Sequence, residues 1–317
     1  MVDKRKIVLV GTGFVGMSMA YSLLNQGGVN ELVLIDVLKD KAEGEAMDLA
    51  HGMPCAPNDM IIKAADYDEC KDANIVVITA GLSQKPGQTR LELASANAKI
   101  VKEITENVVA SGFKGIFLIA SNPVDLMTYV VKEVSGFDSS KVIGSGTVLD
   151  TARLRYLVGK YLNVSSKNVH AYIMGEHGDS SFVAWNHAYV GCKNMKEIME
   201  DGNHPMEDLN KLYVEVQQAA YEIINRKKAT YYGIGLALTK ILKSILNDQN
   251  EIMTVSTYLK GEYGHEGLFI GVPAIINAKG VREILELPLE GEEKEKFDKS
   301  CETLMSMKAE IDKVIKG

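Results

Sequence analysis

Near its start the chain reads Val8-Leu9-Val10-Gly11-Thr12-Gly13-Phe14-Val15-Gly16, a GxGxxG pattern between an apolar run and an amphipathic one. In such a turn the glycines allow a sharp bend, close approach of the backbone to a pyrophosphate, and close packing of helix on strand. The following helix N-terminus adds free N–H groups and partial positive charge. The pattern predicts a dinucleotide site that includes Gly11, Gly13, Phe14, Val15 and Gly16.

A carboxylate follows the second apolar run, Leu32-Val33-Leu34-Ile35, as Asp36, 20 residues after Gly16. A carboxylate at this spacing accepts hydrogen bonds from the adenosine ribose hydroxyls and repels a 2′-phosphate. NAD is therefore the predicted cofactor, in preference to NADP. The alternative is an ordinary glycine-rich turn with an unrelated surface aspartate.

Strand-like and helix-like stretches alternate through the first half of the chain. The predicted strands cover residues 6–10, 31–35, 75–80, 115–120 and 141–144, and the predicted helices cover 14–25, 39–51, 91–110 and 124–134. Strands that alternate with helices at this pace form a parallel sheet covered on both faces. Residues 1–145 are therefore predicted to form an α/β domain with a Rossmann-type, doubly wound parallel sheet.

The rhythm changes from about residue 146. Helices are predicted over residues 149–162, 205–226, 232–246 and 291–316, strands over 252–259 and 268–276, and a polar turn over 175–181. This order is typical of a mixed α+β domain rather than of a second parallel sheet. We expect residues 146–317 to form a substrate domain that packs closely against the first half, with a cleft between them.

Composition excludes several classes of protein. The chain has 317 residues, of which 46% are hydrophobic and 24% charged, and its formal charge is -7. An acidic chain is a poor general binder of nucleic acids. The apolar runs are far shorter than the roughly 20 residues of a membrane span, and no secretory signal or metal-binding cysteine pattern is visible. We expect a cytoplasmic protein without a metal, a membrane or a nucleic-acid partner.

Three segments carry polar residues suited to chemistry. His177 lies between glycines in a polar turn, Asp150 and Arg153 share a helix face at a spacing of i,i+3, and Gln84 and Arg90 belong to a segment rich in Gly and Pro. Each has an ordinary alternative. These are a structural histidine, a salt-bridged helix surface and a surface connection, respectively.

Seven segments together identify a family. In chain order they are GTGFVG, LIDV, AGLSQKPGQTR, SNPVD, GTVLDTARLR, GEHGDSS and KATYYGI. In these motifs and their spacing, the chain resembles the L-lactate and malate dehydrogenases along essentially its whole length. The resemblance implies NAD-dependent hydride transfer between nicotinamide and a small 2-keto or 2-hydroxy acid.

The resemblance also implies roles for single residues. His177 is implied as proton donor and acceptor, Asp150 as the group that stabilises its imidazolium, and Arg153 as the partner of the substrate carboxylate. Arg90 is implied to polarise the substrate carbonyl. The remaining implied contacts are Asn122 with nicotinamide and substrate, Thr230 with substrate, and Ile234 with the nicotinamide ring.

The substrate is predicted from Gln84. In the malate enzymes that the chain resembles, this position is an Arg that binds a second carboxylate, whereas a neutral Gln favours pyruvate and lactate. KATYYGI also resembles the lactate members more. Malate dehydrogenase remains the alternative, and a non-catalytic NAD sensor is disfavoured because it does not need His177, Asp150, Arg153 and Arg90 together.

Regulation and assembly are implied only by the resemblance. Many bacterial lactate enzymes bind fructose 1,6-bisphosphate between subunits, through an Arg and a His at the positions of Arg155 and His170. We therefore expect a bisphosphate activator and a homotetramer. A surface arginine and a structural histidine are the alternative.

Overall fold

The structure is a computed structural model that describes residues 5–82, 90–200 and 202–316. Its strands alternate with helices through the first half, as the sequence predicts. The strands described are β1 Lys6–Val10, β2 Glu31–Ile35, β3 Ile61–Ala64, β4 Ile75–Ile78, β5 Ile116–Ile119, β6 Val142–Gly144, β7 Val169–His170, β8 Ile173–Met174, β9 Phe182–Val183, β10 Tyr189–Val190, β11 Lys193–Asn194, β12 Glu251–Lys260, β13 Glu266–Asn277 and β14 Gly280–Ile284.

Nine of these described strands form one sheet, in the order β14-β13-β12-β6-β5-β4-β1-β2-β3. The six strands from β3 to β6 are parallel. Their order reverses between β1 and β4, which opens a crevice at the carboxyl ends of the strands where ligands bind in folds of this type. The predicted Rossmann-type, doubly wound sheet is thus confirmed.

Helices cover both faces of the sheet. They are α1 Phe14–Gln26, α2 Lys39–His51, α3 Arg90–Ala110, α4 Val124–Ser135, α5 Val148–Tyr161, α6 Met195–Met199, α7 Met206–Lys227, α8 Tyr232–Leu246 and α9 Glu292–Lys316.

The strands alternate their side chains between two apolar cores. Val8 and Val10 of β1 belong to a core that α3, α4 and α9 cover. Ile7 and Leu9 of the same strand belong to the opposite core, beneath α1, α2 and α8. Because successive residues of a strand point to opposite faces, one continuous apolar run fills both layers.

The second half of the chain extends the sheet of the first half, which the sequence did not predict. Ser256 of β12 pairs antiparallel with Gly144 of β6. The connection passes close to β12 at Gly146, where φ is +51° and an added Cβ would lie 2.3 Å from the backbone nitrogen of Ser256. Only glycine fits there without strain. The sequence also did not predict the short edge strand β3 or the final strand β14.

A third core lies outside the sheet and supports the polar turn. It contains Leu154 of α5, Ile173 of β8, Val183 of β9 and Leu209 of α7. Strands β8 and β9 pair antiparallel, with Ile173 opposite Val183. Residues 175–181 are therefore the loop of a hairpin whose ends are fixed in an apolar core.

Candidate active site

The glycine turn between β1 and α1 leaves space for a ligand. Gly11 has φ of +104°, and an added Cβ would lie 2.6 Å from the backbone nitrogen of Ala80. At Gly16 an added Cβ would lie 2.2 Å from the carbonyl oxygen of Gly11. Around Gly13, in contrast, no atom lies within 4 Å of the added Cβ. The first and third glycines thus shape the turn, while the second leaves the N-terminus of α1 open.

Asp36 is held against this turn as an anion. Its Oδ2 accepts hydrogen bonds from the backbone N–H (2.7 Å) and the hydroxyl (2.9 Å) of Thr12, and its Oδ1 accepts one from the Leu38 N–H (3.0 Å). Burial opposes ionisation, but these hydrogen bonds and the charge of Lys41 outweigh it and hold the pKa of Asp36 below its usual value. A carboxylate placed in this way is suited to a sugar hydroxyl.

A carboxylate joins the ring of His177 to an arginine. The Nδ1 of His177 lies 2.7 Å from Oδ2 of Asp150, and the Nη1 of Arg153 donates to Oδ1 of Asp150 at 3.0 Å. Asp150 and Arg153 are one turn apart on α5, as their spacing predicted, whereas His177 comes from the hairpin loop. The contact with Asp150 leaves Nε2 on the opposite side of the ring to exchange a proton.

The electrostatics of this group favour a charged imidazole. Burial by itself would lower the pKa of His177, but the charge and hydrogen bond of Asp150 outweigh it and raise the pKa above its usual value. Burial also opposes ionisation of Asp150, and here the charge of His177 and Arg153 holds the pKa of the carboxyl down. The side chain of His177 is 31% exposed. A proton on this ring is therefore both stabilised and accessible.

The loop that carries His177 is anchored at its start. The N–H of Gly175 donates to the carbonyl of Gly271 on β13 at 2.9 Å. The N–H of Glu176 donates to the hydroxyl of Ser300 on α9 at 2.7 Å. The N–H of His177 itself donates to Asp125 on α4 at 2.8 Å. Three consecutive peptides are thus held by three different elements.

The end of the same loop is tied to α7. The hydroxyl of Tyr213 donates to the carbonyl of Ser181, and the side-chain amide of Gln217 donates to the Tyr213 hydroxyl at 3.0 Å. The loop is therefore braced on both sides of His177.

Asn97 of α3 connects two loops at the carboxyl edge of the sheet. Its Nδ2 donates to the carbonyl of Asn122, after β5, at 2.7 Å, and its Oδ1 accepts from the N–H of Leu82, after β4, at 2.7 Å. Asn97 is fully buried, while Asn122 is exposed. No sequence signal distinguishes Asn97, because polar residues are common in long helices.

Helix α8 lies between the nucleotide turn and the helix of Asp150. The ring of Tyr231 stacks on Phe14 with centroids 5.1 Å apart. An added Cβ at Gly235 would lie 2.7 Å from Ser18 of α1, and one at Gly233 would lie 2.9 Å from Leu149 of α5. The α8 N-terminus, with Thr230 just before it and Ile234 in its first turn, therefore lies between the two predicted sites.

Two predicted site residues lie at the edge of, or beyond, the part of the chain that the structure describes. Gln84 and the side chain of Arg90 lie outside the described residues. The backbone of Arg90 begins α3.

Comparison with known proteins accounts for both halves of the chain. Residues 5–144 match the NAD-binding domain of lactate/malate dehydrogenase, and residues 147–316 match the α/β C-terminal domain of the same family. The chain belongs to the lactate/malate dehydrogenase family. The matched ranges meet at the connection through Gly146, where the single sheet passes from parallel to antiparallel strands.

Two relatives of this lactate/malate dehydrogenase family member are named L-lactate dehydrogenase. L-lactate dehydrogenase 1 of Bacillus cereus is 52% identical over 307 residues, which cover 96% of this chain and 98% of the relative. L-lactate dehydrogenase 2 of Lactococcus lactis is 54% identical over 304 residues, covering 96% and 97%.

Solved structures of lactate dehydrogenases have the same fold. The minor L-lactate dehydrogenase of Enterococcus mundtii, in its ligand-bound form, is 50% identical with a TM-score of 0.95, covering 98% of this chain and 99% of the other. A lactate dehydrogenase from a Medee basin deep-sea metagenome library gives the same identity and TM-score, with coverage of 98% and 100%.

The residues of this family member fit NAD. The open space at Gly13 accommodates a pyrophosphate against the α1 N-terminus, and ionised Asp36 is suited to a ribose hydroxyl and opposes a 2′-phosphate. Within the described residues, no group of three or more His, Cys, Asp or Glu could hold a metal ion. No described helix is long and apolar enough to cross a membrane.

Gly13→Ala tests the nucleotide turn. The methyl group meets no protein atom, so we expect the fold and thermal stability to persist. It would occupy the space left for the pyrophosphate, so we expect NADH affinity to fall by about tenfold or more, a loss of at least about 1.4 kcal/mol. Fluorescence titration with NADH measures this. The control is Gly44→Ala in α2, which also enters open space. Equal NADH affinity in both variants would contradict the assignment.

Proposed function

We propose that this chain is an L-lactate dehydrogenase, which interconverts pyruvate and (S)-lactate by reversible hydride transfer with NADH and NAD⁺. The observation that carries the proposal is the His177–Asp150–Arg153 group, with Nδ1 of His177 2.7 Å from Asp150. Relatives named L-lactate dehydrogenase that match 96% of the chain support the substrate.

Arg153 is proposed to bind the substrate carboxylate. A guanidinium presents a planar pair of donors that matches a carboxylate, which lysine does not. One donor of Arg153 contacts Asp150 at 3.0 Å, which fixes the orientation of the side chain. Asp150 therefore orients the guanidinium of Arg153 and the ring of His177 at the same time.

His177 is proposed to transfer the proton. When NAD is bound, its nicotinamide supplies or accepts the hydride. In pyruvate reduction, protonated His177 stabilises the charge that develops on the carbonyl oxygen and then donates its Nε2 proton to that oxygen. Asp150 stabilises the imidazolium and fixes the tautomer that remains. In lactate oxidation, neutral His177 removes the hydroxyl proton.

Four further residues are proposed to contact the substrate or the nicotinamide. Arg90 polarises the substrate carbonyl, and Asn122 lines the nicotinamide and substrate site. Thr230 contacts the substrate, and Ile234 packs on the nicotinamide ring. The position of Thr230 and Ile234 between α1 and α5 supports these last two roles.

Gln84 is proposed to select pyruvate over oxaloacetate. A second substrate carboxylate needs a cationic partner to offset the cost of removing it from water. Gln84 is neutral and offers no such compensation. A methyl group in the same place requires none.

We also propose that fructose 1,6-bisphosphate binds between subunits of a cytoplasmic homotetramer that serves glycolytic fermentation. Arg155 on α5 acts electrostatically on Tyr172, two residues after exposed His170. Arg155 and His170 therefore belong to neighbouring elements, because α5 packs against β7. A bisphosphate would neutralise their repulsion across a subunit contact and favour the assembled form.

Oxidation of NADH in the presence of either keto acid tests the proposed reaction. We expect rapid loss of NADH absorbance with pyruvate and at least about a hundredfold lower kcat/KM with oxaloacetate, because the uncompensated carboxylate costs roughly 3 kcal/mol. Preference for oxaloacetate would make this a malate dehydrogenase. Inactivity with both would leave a protein that binds NAD without turnover.

The pH profile tests the role of His177. Its pKa is raised, so the protonated ring persists above the usual range, and kcat/KM for pyruvate should fall about tenfold per pH unit once pH exceeds that pKa. Lactate oxidation should rise over the same interval. His177→Asn should bind NADH normally but lose about a thousandfold in turnover below that pKa, and it should lack the alkaline fall because no ring titrates. A His177→Asn variant that retained the wild-type profile would assign the proton to another group.

Titration with fructose 1,6-bisphosphate tests the proposed activator site. We expect the KM for pyruvate to fall and the tetramer fraction in sedimentation velocity to rise. Both responses should disappear in Arg155→Ala, while inorganic phosphate at the same concentration serves as the control ligand. Unchanged KM and assembly in the wild type would contradict the proposal.

A further inference from the structure

A buried carboxylate lies behind the catalytic loop, and the family resemblance gave it no role. Asp125 is in the first turn of α4 and only 2% exposed. It ends the segment Ser121-Asn122-Pro123-Val124-Asp125, from which only Asn122 was assigned a function. Carboxylates are seldom buried to this degree without specific partners, because removal from water disfavours the charged form.

Both oxygens of Asp125 have partners from other elements. Oδ2 accepts the backbone N–H of His177 at 2.8 Å. Oδ1 accepts the hydroxyl of Ser256, which lies on β12 beside the junction with β6. One side chain therefore joins α4, the sheet and the peptide of His177.

We propose that Asp125 is a positioning residue that fixes the peptide of His177 and, with Asp150, supplies the negative charge that keeps the imidazole protonated during pyruvate reduction. Asp150 contacts the ring directly, whereas Asp125 acts through the backbone and through its field. The catalytic part of this proposal rests on the proposed function, while the contact and the charge do not depend on it.

Charged groups on three elements act on this pair. His177 is influenced by Asp150 and Arg153 of α5 and by Asp125 of α4. Asp125 is influenced in turn by His177 and by Glu176 of the same loop. The negative groups raise the pKa of His177, and Arg153 opposes them. Loss of the Asp125 charge should therefore lower the pKa of His177.

Asp125 is ionised above a pH set by its raised pKa. Burial raises its pKa to about 6, although the hydrogen bonds from Ser256 and His177 and the charge of His177 act in the opposite direction. Above this value the carboxylate is charged and stabilises the proton on His177.

The hydrogen bonds alone do not require a carboxylate. An asparagine could accept the His177 N–H through its oxygen and donate its amide to the Ser256 hydroxyl. A neutral side chain would also avoid the cost of burying a charge. The geometry is thus available without the charge, so the two contributions can be separated by Asp125→Asn.

Histidine titration by NMR tests the charge directly. The protein with ¹⁵N-labelled histidine has six such residues, and the spectrum of His177→Asn identifies the signals of His177. In the cofactor-free protein, we expect the ring of His177 to titrate at lower pH in Asp125→Asn than in the wild type. Glu293→Gln is the matched control, because it neutralises another buried carboxylate that accepts a backbone N–H, from Asn186 at 2.9 Å.

The reaction provides the second readout. In Asp125→Asn, the alkaline limb of kcat/KM for pyruvate should move to lower pH, giving about a threefold loss above the pKa and near-equal activity in the acidic plateau. A merely structural role would lower activity equally at every pH. Glu293→Gln should retain the wild-type profile.

The outcomes separate this proposal from the proposed function. If the His177 ring titrates at the same pH in Asp125→Asn and wild type, the proposal is wrong, whatever the activity. If the wild type does not reduce pyruvate, the proposed function fails while the NMR comparison still decides the role of Asp125.

A measurement on the wild type covers the case in which Asp125→Asn does not fold. The backbone amide of His177 donates to Asp125, so its ¹⁵N and ¹H shifts should follow the titration of that carboxyl near pH 6. If the amide signal of His177 followed only the titration of the His177 imidazole, the proposal would be wrong.

Discussion

The contact between His177 and Asp150 is the interaction around which the second half of the chain is arranged. In a partly buried histidine–carboxylate pair, the attraction offsets the lost solvation of both groups only if their geometry is fixed. The carboxylate is fixed by its place on α5 and by Arg153. The histidine is fixed by consecutive loop peptides bonded to β13, α9 and α4. Two of the side chains that hold the loop, Ser300 and Asp125, are buried, which restricts their movement.

The nucleotide turn and this pair are brought together by packing rather than by direct contact. Helix α8 lies against α1 on one side and α5 on the other, with Gly235 and Gly233 at the closest approaches. A larger residue at either point would separate the helices. Apolar residues of α1, α8 and the start of α5 share the core beneath α8, so packing there sets the position of α5 relative to the open turn at Gly13.

The sequence predicted local structure well and long-range structure only partly. The apolar runs predicted β1, β2, β4 and β5, and the glycine pattern predicted the turn before α1. Strand β3 was missed because its residues are half-exposed at the edge of the sheet and give no strong apolar run.

Contacts between distant residues were harder to predict. The i,i+3 spacing predicted that Asp150 lies beside Arg153. No spacing in the sequence predicted that His177 lies beside them. The association of His177 with Asp150 was implied only by the family resemblance. Asp125 and Asn97 were not singled out, since a polar residue in a helix does not reveal that its partner is a backbone group of another element. The pairing of β12 with β6 was missed for the same reason, because strand pairing depends on contacts far apart in sequence.

The single sheet also limits how the two halves of the chain can move. Ser256 and Gly144 are paired across the junction, and the backbone at Gly146 lies against β12 too closely for any side chain. A hinge at this point would break strand pairing and expose both apolar cores. The pairing of β6 with β12 therefore opposes bending of the chain at this junction. The glycine turn directly follows β1, and the helix that carries Asp150 begins four residues after β6, so both are attached to the same sheet.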